Sequence, residues 1–191
     1  MTSKPVLMIH EVAESMFSLP LENYTLTFDD GLYTQYKFFD RLQNINTEKI
    51  FFISSNIICT GKQSTEFITC RDAHNKVAAF GNRENYMTLE QINELLRDPL
   101  TSIGGHSHDH VNLADLTLST KITQIKIDTT RMMHWFKENL GLVPTKFCYP
   151  FNYDCNGIYT AILKQHGFTE FYDSTRIDVQ TLYENLDIMS V

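Results

Sequence analysis

Lys49-Ile50-Phe51-Phe52-Ile53-Ser54 is a near-continuous apolar run of strand length. A strand with one wet face alternates, whereas one that is apolar throughout is covered on both faces, as in a parallel sheet flanked by helices. Val6-Leu7-Met8-Ile9-His10 is a second such run, and Tyr24 to Phe28, Thr101 to Gly105 and Thr145 to Tyr149 are shorter ones. Amphipathic segments separate them. Phe38, Leu42 and Ile45 recur at helical spacing, and Thr88-Leu89-Glu90-Gln91 is a capping box opening a helix that Asp98-Pro99 stops. The longest helix is expected over 119–140, with Ile122, Ile125, Thr129, Met132, Met133 and Phe136 on one face and Gly141 as its cap, and a last one over 157–167. Repeated strand-then-helix order with parallel strands requires right-handed crossovers, hence an open α/β sheet or a (β/α) barrel. The polar, poorly periodic stretch 61–86 reads as a long loop insertion in a single domain spanning 1–191.

Composition excludes several classes of function. The chain has 16 Lys plus Arg against 23 Asp plus Glu, a formal charge of −7, and no basic run of the kind that neutralises phosphates, which argues against a nucleic-acid partner. No apolar stretch approaches the ~18 residues of a transmembrane helix. The first residues lack the apolar core and cleavage site of a signal peptide, so a cytoplasmic location is the expectation. Cys59, Cys70, Cys148 and Cys155 form no Cys-x-x-Cys pair and read as reduced thiols.

The chemistry is concentrated at the strand ends. Thr27-Phe28-Asp29-Asp30 closes one expected strand and His106-Ser107-His108-Asp109-His110 follows another. Adjacent buried carboxylates raise each other's pKa and need a cation or donors as compensation, and a divalent metal with nearby imidazoles supplies it. His10 and Tyr149 also stand at expected strand C-termini, the end at which barrel active sites lie.

These residues carry a resemblance. Thr27 to Gly31 is similar to the Thr-Phe-Asp-Asp-Gly first motif of the polysaccharide deacetylases, carbohydrate esterase family 4, and His106-Ser107-x-x-His110 to their second. Lys49-Ile50-Phe51-Phe52-Ile53 resembles the strand between the two. Leu140-Gly141 followed by Phe147-Cys148-Tyr149-Pro150-Phe151-Asn152 resembles the third motif. The family's fold implies a distorted or incomplete (β/α) barrel. Three departures stand out: Cys148 occupies the position of a motif arginine, the Asp-x-x-Asp-Trp motif is absent, and no histidine follows His166 to serve as the late general acid. Val6-Leu7-Met8-Ile9-His10 is, however, similar to the opening strand of circularly permuted members, in which the acid histidine stands at the N-terminus.

The resemblance implies one divalent ion, zinc by preference, held by Asp30, His106 and His110. Asp29 would be the general base and His10 the acid, with the backbone N–H of Phe151 and the metal facing the oxyanion. Ser107 would pin the histidine loop, and Tyr149 would lie beside the sugar. Other readings stay open. His108 alternates with His106 and His110 and can replace either as ligand, although the family spacing favours the outer pair. His10 can be a satisfied strand-end histidine, Tyr149 and Phe151 core residues, and Arg176 either the substitute for the arginine missing at Cys148 or an ordinary surface ion pair. His74, His134 and His166 read as surface or structural, and Trp135 as core.

The implied reaction removes an N-acetyl or similar acyl group from an amino sugar, releasing acetate and a free amine. With no export signal, a nucleotide- or lipid-linked intermediate of surface-polysaccharide synthesis is the expected substrate. The rivals are a non-catalytic, metal-containing carbohydrate-binding module and a hydrolase of cyclic amides. Because the chain stops soon after Val179, an incomplete barrel, or a homodimer that closes its open edge, is expected.

Overall fold

The computed structural model of the chain describes residues 4–189. The strands are β1 (Val6–Ile9), β2 (Thr25–Phe28), β3 (Lys49–Ile53), β4 (Thr101–Gly105), β5 (Lys146–Cys148), β6 (Glu170–Tyr172) and β7 (Ile177–Asp178). They form one sheet in the order β6-β5-β4-β3-β2-β1-β7, every pairing parallel. Among the described residues β6 and β7 do not pair with each other, so the sheet curls into an incomplete barrel. This is the architecture the alternation of apolar runs and amphipathic segments predicts. All five residues of β3 are buried, and Phe51 stacks on Phe28 of the neighbouring strand with ring centroids 4.4 Å apart.

The described residues form seven α-helices: α1 (Tyr33–Lys37), α2 (Phe39–Leu42), α3 (Cys70–Phe80), α4 (Leu89–Leu95), α5 (Leu118–Leu140), α6 (Ile158–Gln165) and α7 (Val179–Met189). The capping box at Thr88 and the left-handed Gly141 cap of α5 (φ 64°) are where the sequence puts them. Ile125, Asp128, Thr129, Met132 and Phe136 form the buried face of α5, with Ile122 and Met133 only half-buried. No helix among the described residues is long and apolar enough to cross a membrane.

Three features differ from the sequence expectation. The stretch 61–86 contains an eleven-residue helix, α3, with Thr69 capping its N-terminus and Gly81 its C-terminus. Leu32, Ile57, Ala73 and Tyr86 form a small second core that seats α3 over the mouth of the sheet. Beyond 157–167, read as the last helix, the chain adds β6, β7 and α7. Finally, Lys49 in the apolar run is fully buried, its ammonium held by the carbonyls of Ile45 and Thr47 at 3.0 and 2.9 Å and by Asp98 at 3.2 Å. Burial of this charge is tolerable because each donor has a partner.

β4 ends in Gly104-Gly105 for a steric reason. A Cβ on Gly104 would lie 2.5 Å from the Phe52 ring and 2.9 Å from the backbone oxygen of Lys146, and one on Gly105 would lie 2.7 Å from Met132 Sδ. The glycines let β3, β5 and α5 close around the strand that carries His106. Gly104→Ala is expected to lower unfolding free energy by about 1–3 kcal/mol through overpacking. Urea denaturation checks this, and an unchanged midpoint would contradict the close approach.

Candidate active site

The strands deliver their next residues to one end of the sheet. His10 follows β1, Asp29 and Asp30 follow β2, His106 follows β4 and Tyr149 follows β5. These side chains, with His110 and Phe151, line one cleft of about 1160 Å³. The Gln35 amide ties the ends of β1 and β2 together by donating to the carbonyls of His10 (2.8 Å) and Asp29 (2.6 Å).

The two aspartates are compensated separately. Arg176, in the turn before β7, donates through Nη1 to Asp29 Oδ1 and through Nη2 to Asp29 Oδ2, both at 2.8 Å. The same guanidinium reaches Thr27 Oγ1 (3.0 Å), Cys148 Sγ (3.0 Å) and the carbonyl of Asp173 (3.0 Å). Both partners are buried. A two-pronged, charge-assisted grip of this kind fixes the carboxylate plane as well as its charge. Burial alone would push Asp29 up, but Arg176 outweighs it and holds the carboxyl below its usual range.

Asp30 faces imidazoles instead. Its Oδ1 lies 3.1 Å from His110 Nε2 and 3.2 Å from each of His106 Nε2 and His74 Nε2. At these distances Oδ1 and His74 Nε2 are shut off from solvent, yet neither has a hydrogen bond of acceptable direction. Polar atoms that converge on a common space rather than pairing off are what a cation satisfies. His106 Nδ1 lies 2.8 Å from the carbonyl of Cys148 and must donate to it, which leaves the Nε2 lone pair for the cleft. Burial would push Asp30 up, but the facing imidazoles hold it well below the usual carboxylate range. Burial pushes His110 down to about 4, which keeps its imidazole neutral near pH 7. Burial would push His106 down, but Cys148 and the Asp30 carboxylate hold it well above its usual value, so a divalent ion would take the place of its Nε2 proton. One carboxylate with two imidazoles is a donor set that fits such an ion, zinc included.

The histidine loop is braced from below. Ser107 Oγ accepts from the backbone N–H of His110 at 2.9 Å, and the Asp128 carboxylate on α5 accepts from the N–H groups of His108 (2.8 Å) and Asp109 (2.9 Å). His108 turns away, its Nδ1 2.8 Å from Ser55 Oγ, so the three alternating histidines divide into two at the carboxylate and one in the loop. Phe151 is 56% exposed, with its ring 4.8 Å from that of His110. Tyr149 is buried, and its hydroxyl bonds Thr160. Asp30, Ser107, His110 and Phe151 all have left-handed backbones, with φ of 73°, 66°, 51° and 57°. For residues other than glycine this is uncommon, and such strain gathers at functional sites.

His74 corrects the sequence expectation. Read as surface or structural, it instead reaches Asp30 from α3, because the segment that carries it is a helix seated on the cleft. Thr69-x-x-Asp72 and Gly81 are the start and stop signals that mark this helix. His10 Nε2 lies 3.9 Å from Asp29 Oδ2 and 4.0 Å from Asp30 Oδ2, between the two carboxylates and partly open to the cleft.

A family model described as polysaccharide deacetylase matches residues 20–171, most of the chain. The chain belongs to the polysaccharide deacetylase family. A carbohydrate substrate and deacetylation as the class of reaction follow from that membership. Among solved structures, IcaB from Ammonifex degensii is similar over 94% of this chain and 86% of its own, at 20% identity and a TM-score of 0.69. The BpsB deacetylase domain from Bordetella bronchiseptica is similar over 92% and 94%, at 14% identity and a TM-score of 0.62. The Streptococcus pyogenes deacetylase PplD, solved with acetate, is similar over 87% and 81%, at 13% identity and a TM-score of 0.58. At these identities the likeness is one of fold. No curated protein matches the chain significantly.

The ion pair makes a double substitution informative. Arg176→Met strands a buried carboxylate and is expected to cost about 3–5 kcal/mol of stability. Adding Asp29→Asn removes the stranded charge, so the double variant is expected to be more stable than Arg176→Met alone. Urea unfolding of the four proteins measures the coupling, and simple additivity would mean that the two side chains do not act as a pair.

Proposed function

We propose that the chain is a metal-dependent hydrolase that removes an N-acetyl or similar acyl group from an amino sugar. The observation that carries this reading is the division of labour between neighbouring carboxylates: Asp30 faces imidazoles, while Asp29 is gripped by Arg176 in the same cleft. A site that only stored a metal, or a module that only bound sugar, has no use for the second carboxylate.

Asp30, His106 and His110 would hold the ion. A divalent ion bound there supplies Lewis acidity and a nucleophile at neutral pH. Asp29, kept ionised and in plane by Arg176, accepts the proton of the attacking water. The backbone N–H of Phe151, on its left-handed turn, faces the oxygen that gains charge. His10 donates a proton to the departing amine, so that acetate and a free amino sugar leave. In this reading it does what the N-terminal acid histidine does in the circularly permuted members that β1 resembles. The exposed Phe151 ring and Tyr149 on the cleft wall give a sugar apolar faces to lie against. A nucleotide- or lipid-linked sugar made in the cytoplasm during surface-polysaccharide synthesis is the proposed substrate.

Acetate release from a panel of acetylated amino sugars, free, nucleotide-linked and polymeric, tests the reading together with metal analysis. Asp29→Asn is expected to lower turnover by roughly 10²–10⁴ with metal content intact, whereas His106→Ala loses both. Equal loss of metal in the two variants would make Asp29 a ligand and refute the division of roles.

The acid has its own test. His10→Ala is expected to slow amide hydrolysis far more than hydrolysis of an activated acetyl ester, whose leaving group scarcely needs a proton. Equal losses on the two substrates would remove His10 from the mechanism.

A further inference from the structure

We propose that His74 is a fourth protein ligand of the metal, a third imidazole beside those of His106 and His110; this rests on the metal site put forward above. Its Nε2 is as close to Asp30 Oδ1, at 3.2 Å, as the nitrogen of His106. That nitrogen is sealed from solvent and has no hydrogen bond, an expensive state for a polar atom unless something else occupies the shared space.

The rest of the imidazole is held as ligating histidines are held. Its Nδ1 lies 3.1 Å from the hydroxyl of Tyr86, which is buried, so the ring has an outer partner that fixes its rotation and leaves Nε2 pointing inward. Its face stacks on His110 at 4.3 Å between centroids and 10° between planes.

The helix itself is built for this contact. Cys70, one turn before His74 and on the same face, donates through Sγ to Asp30 Oδ2 at 2.9 Å, so α3 reaches both oxygens of one carboxylate. The backbone N–H of Cys70 donates to Glu11, next to His10, and the Leu32, Ile57, Ala73 and Tyr86 cluster seats the middle of the helix. Three protein donors leave a catalytic ion room for water and substrate; a fourth retains it more tightly and uses the five-coordinate capacity of zinc.

The test uses the full chain, stripped of metal and titrated with zinc against a competing chelator. His74→Ala is expected to weaken zinc binding by about 10²-fold or more, beyond the roughly 10-fold effect of Tyr86→Phe, which removes only an outer partner. X-ray absorption of the zinc-loaded natural protein is expected to count three imidazoles, a readout that stands even if a variant misfolds. Two imidazoles, or zinc affinity within threefold of the natural protein in a folded His74→Ala, overturns the fourth ligand and leaves the Asp30, His106 and His110 site intact. A natural protein that takes up no divalent ion, with His106→Ala indistinguishable from it, overturns the metal site and this proposal with it.

Discussion

Two carboxylates side by side at the end of β2, both almost without solvent, are the constraint around which the mouth of this sheet is organised. Neither can ionise there without help, and the two need different help because they point in different directions. Asp29 takes a guanidinium delivered from the turn before β7, the edge strand two places away. Asp30 takes imidazoles delivered by β4 and by α3. Much of the surrounding detail serves these two contacts: the Gln35 amide that ties β1 to β2, the glycines that let β4 sit close, and the Asp128 carboxylate that braces the histidine loop. The desolvation cost of each charge is offset locally, so the pair can persist as two anions of different character rather than as one shared proton.

The fold was largely legible because a parallel sheet writes itself in apolar runs, and the strands that start at Val6, Thr25, Lys49, Thr101 and Lys146 all fall on such runs. β6 and β7 were not, being short and only half-buried. At the site, the residues that follow strands directly were readable: His10, Asp29, Asp30, His106 and Tyr149 owe their position to the strand before them. His74 was not, since nothing local says that a polar helix will settle over the mouth. The spacing of alternating histidines also could not say which of them face the carboxylate. That was decided by left-handed turns at Ser107 and His110, which send His108 toward Ser55.

Arg176 puts a guanidinium beside Asp29 in a chain that has Cys148 where the motif it resembles has an arginine. The small, buried thiol of Cys148, at the position of the motif arginine, leaves room beside Asp29, and the guanidinium of Arg176 fills it, within 3.0 Å of that sulfur. A positive charge stands beside Asp29, and it enters from the turn before β7. A motif search that stops at Cys148 sees a defect, whereas the electrostatics of the cleft show none.

That substitution has a cost in autonomy. Asp29 and Arg176 are 147 residues apart, and the arginine precedes a two-residue strand that pairs only with β1 at the margin of the sheet. Sheet margins open more readily than the centre, since fewer bonds and contacts must break. Were β7 to peel away, Asp29 would lose its counter-charge while the buried interior of β2, β3 and β4 remained intact. The charge balance of the cleft therefore depends on its outermost strand as well as on the core. Under the proposed roles, heat, denaturant or a protease acting on that edge would disable the base in a molecule that by most spectroscopic measures is still folded.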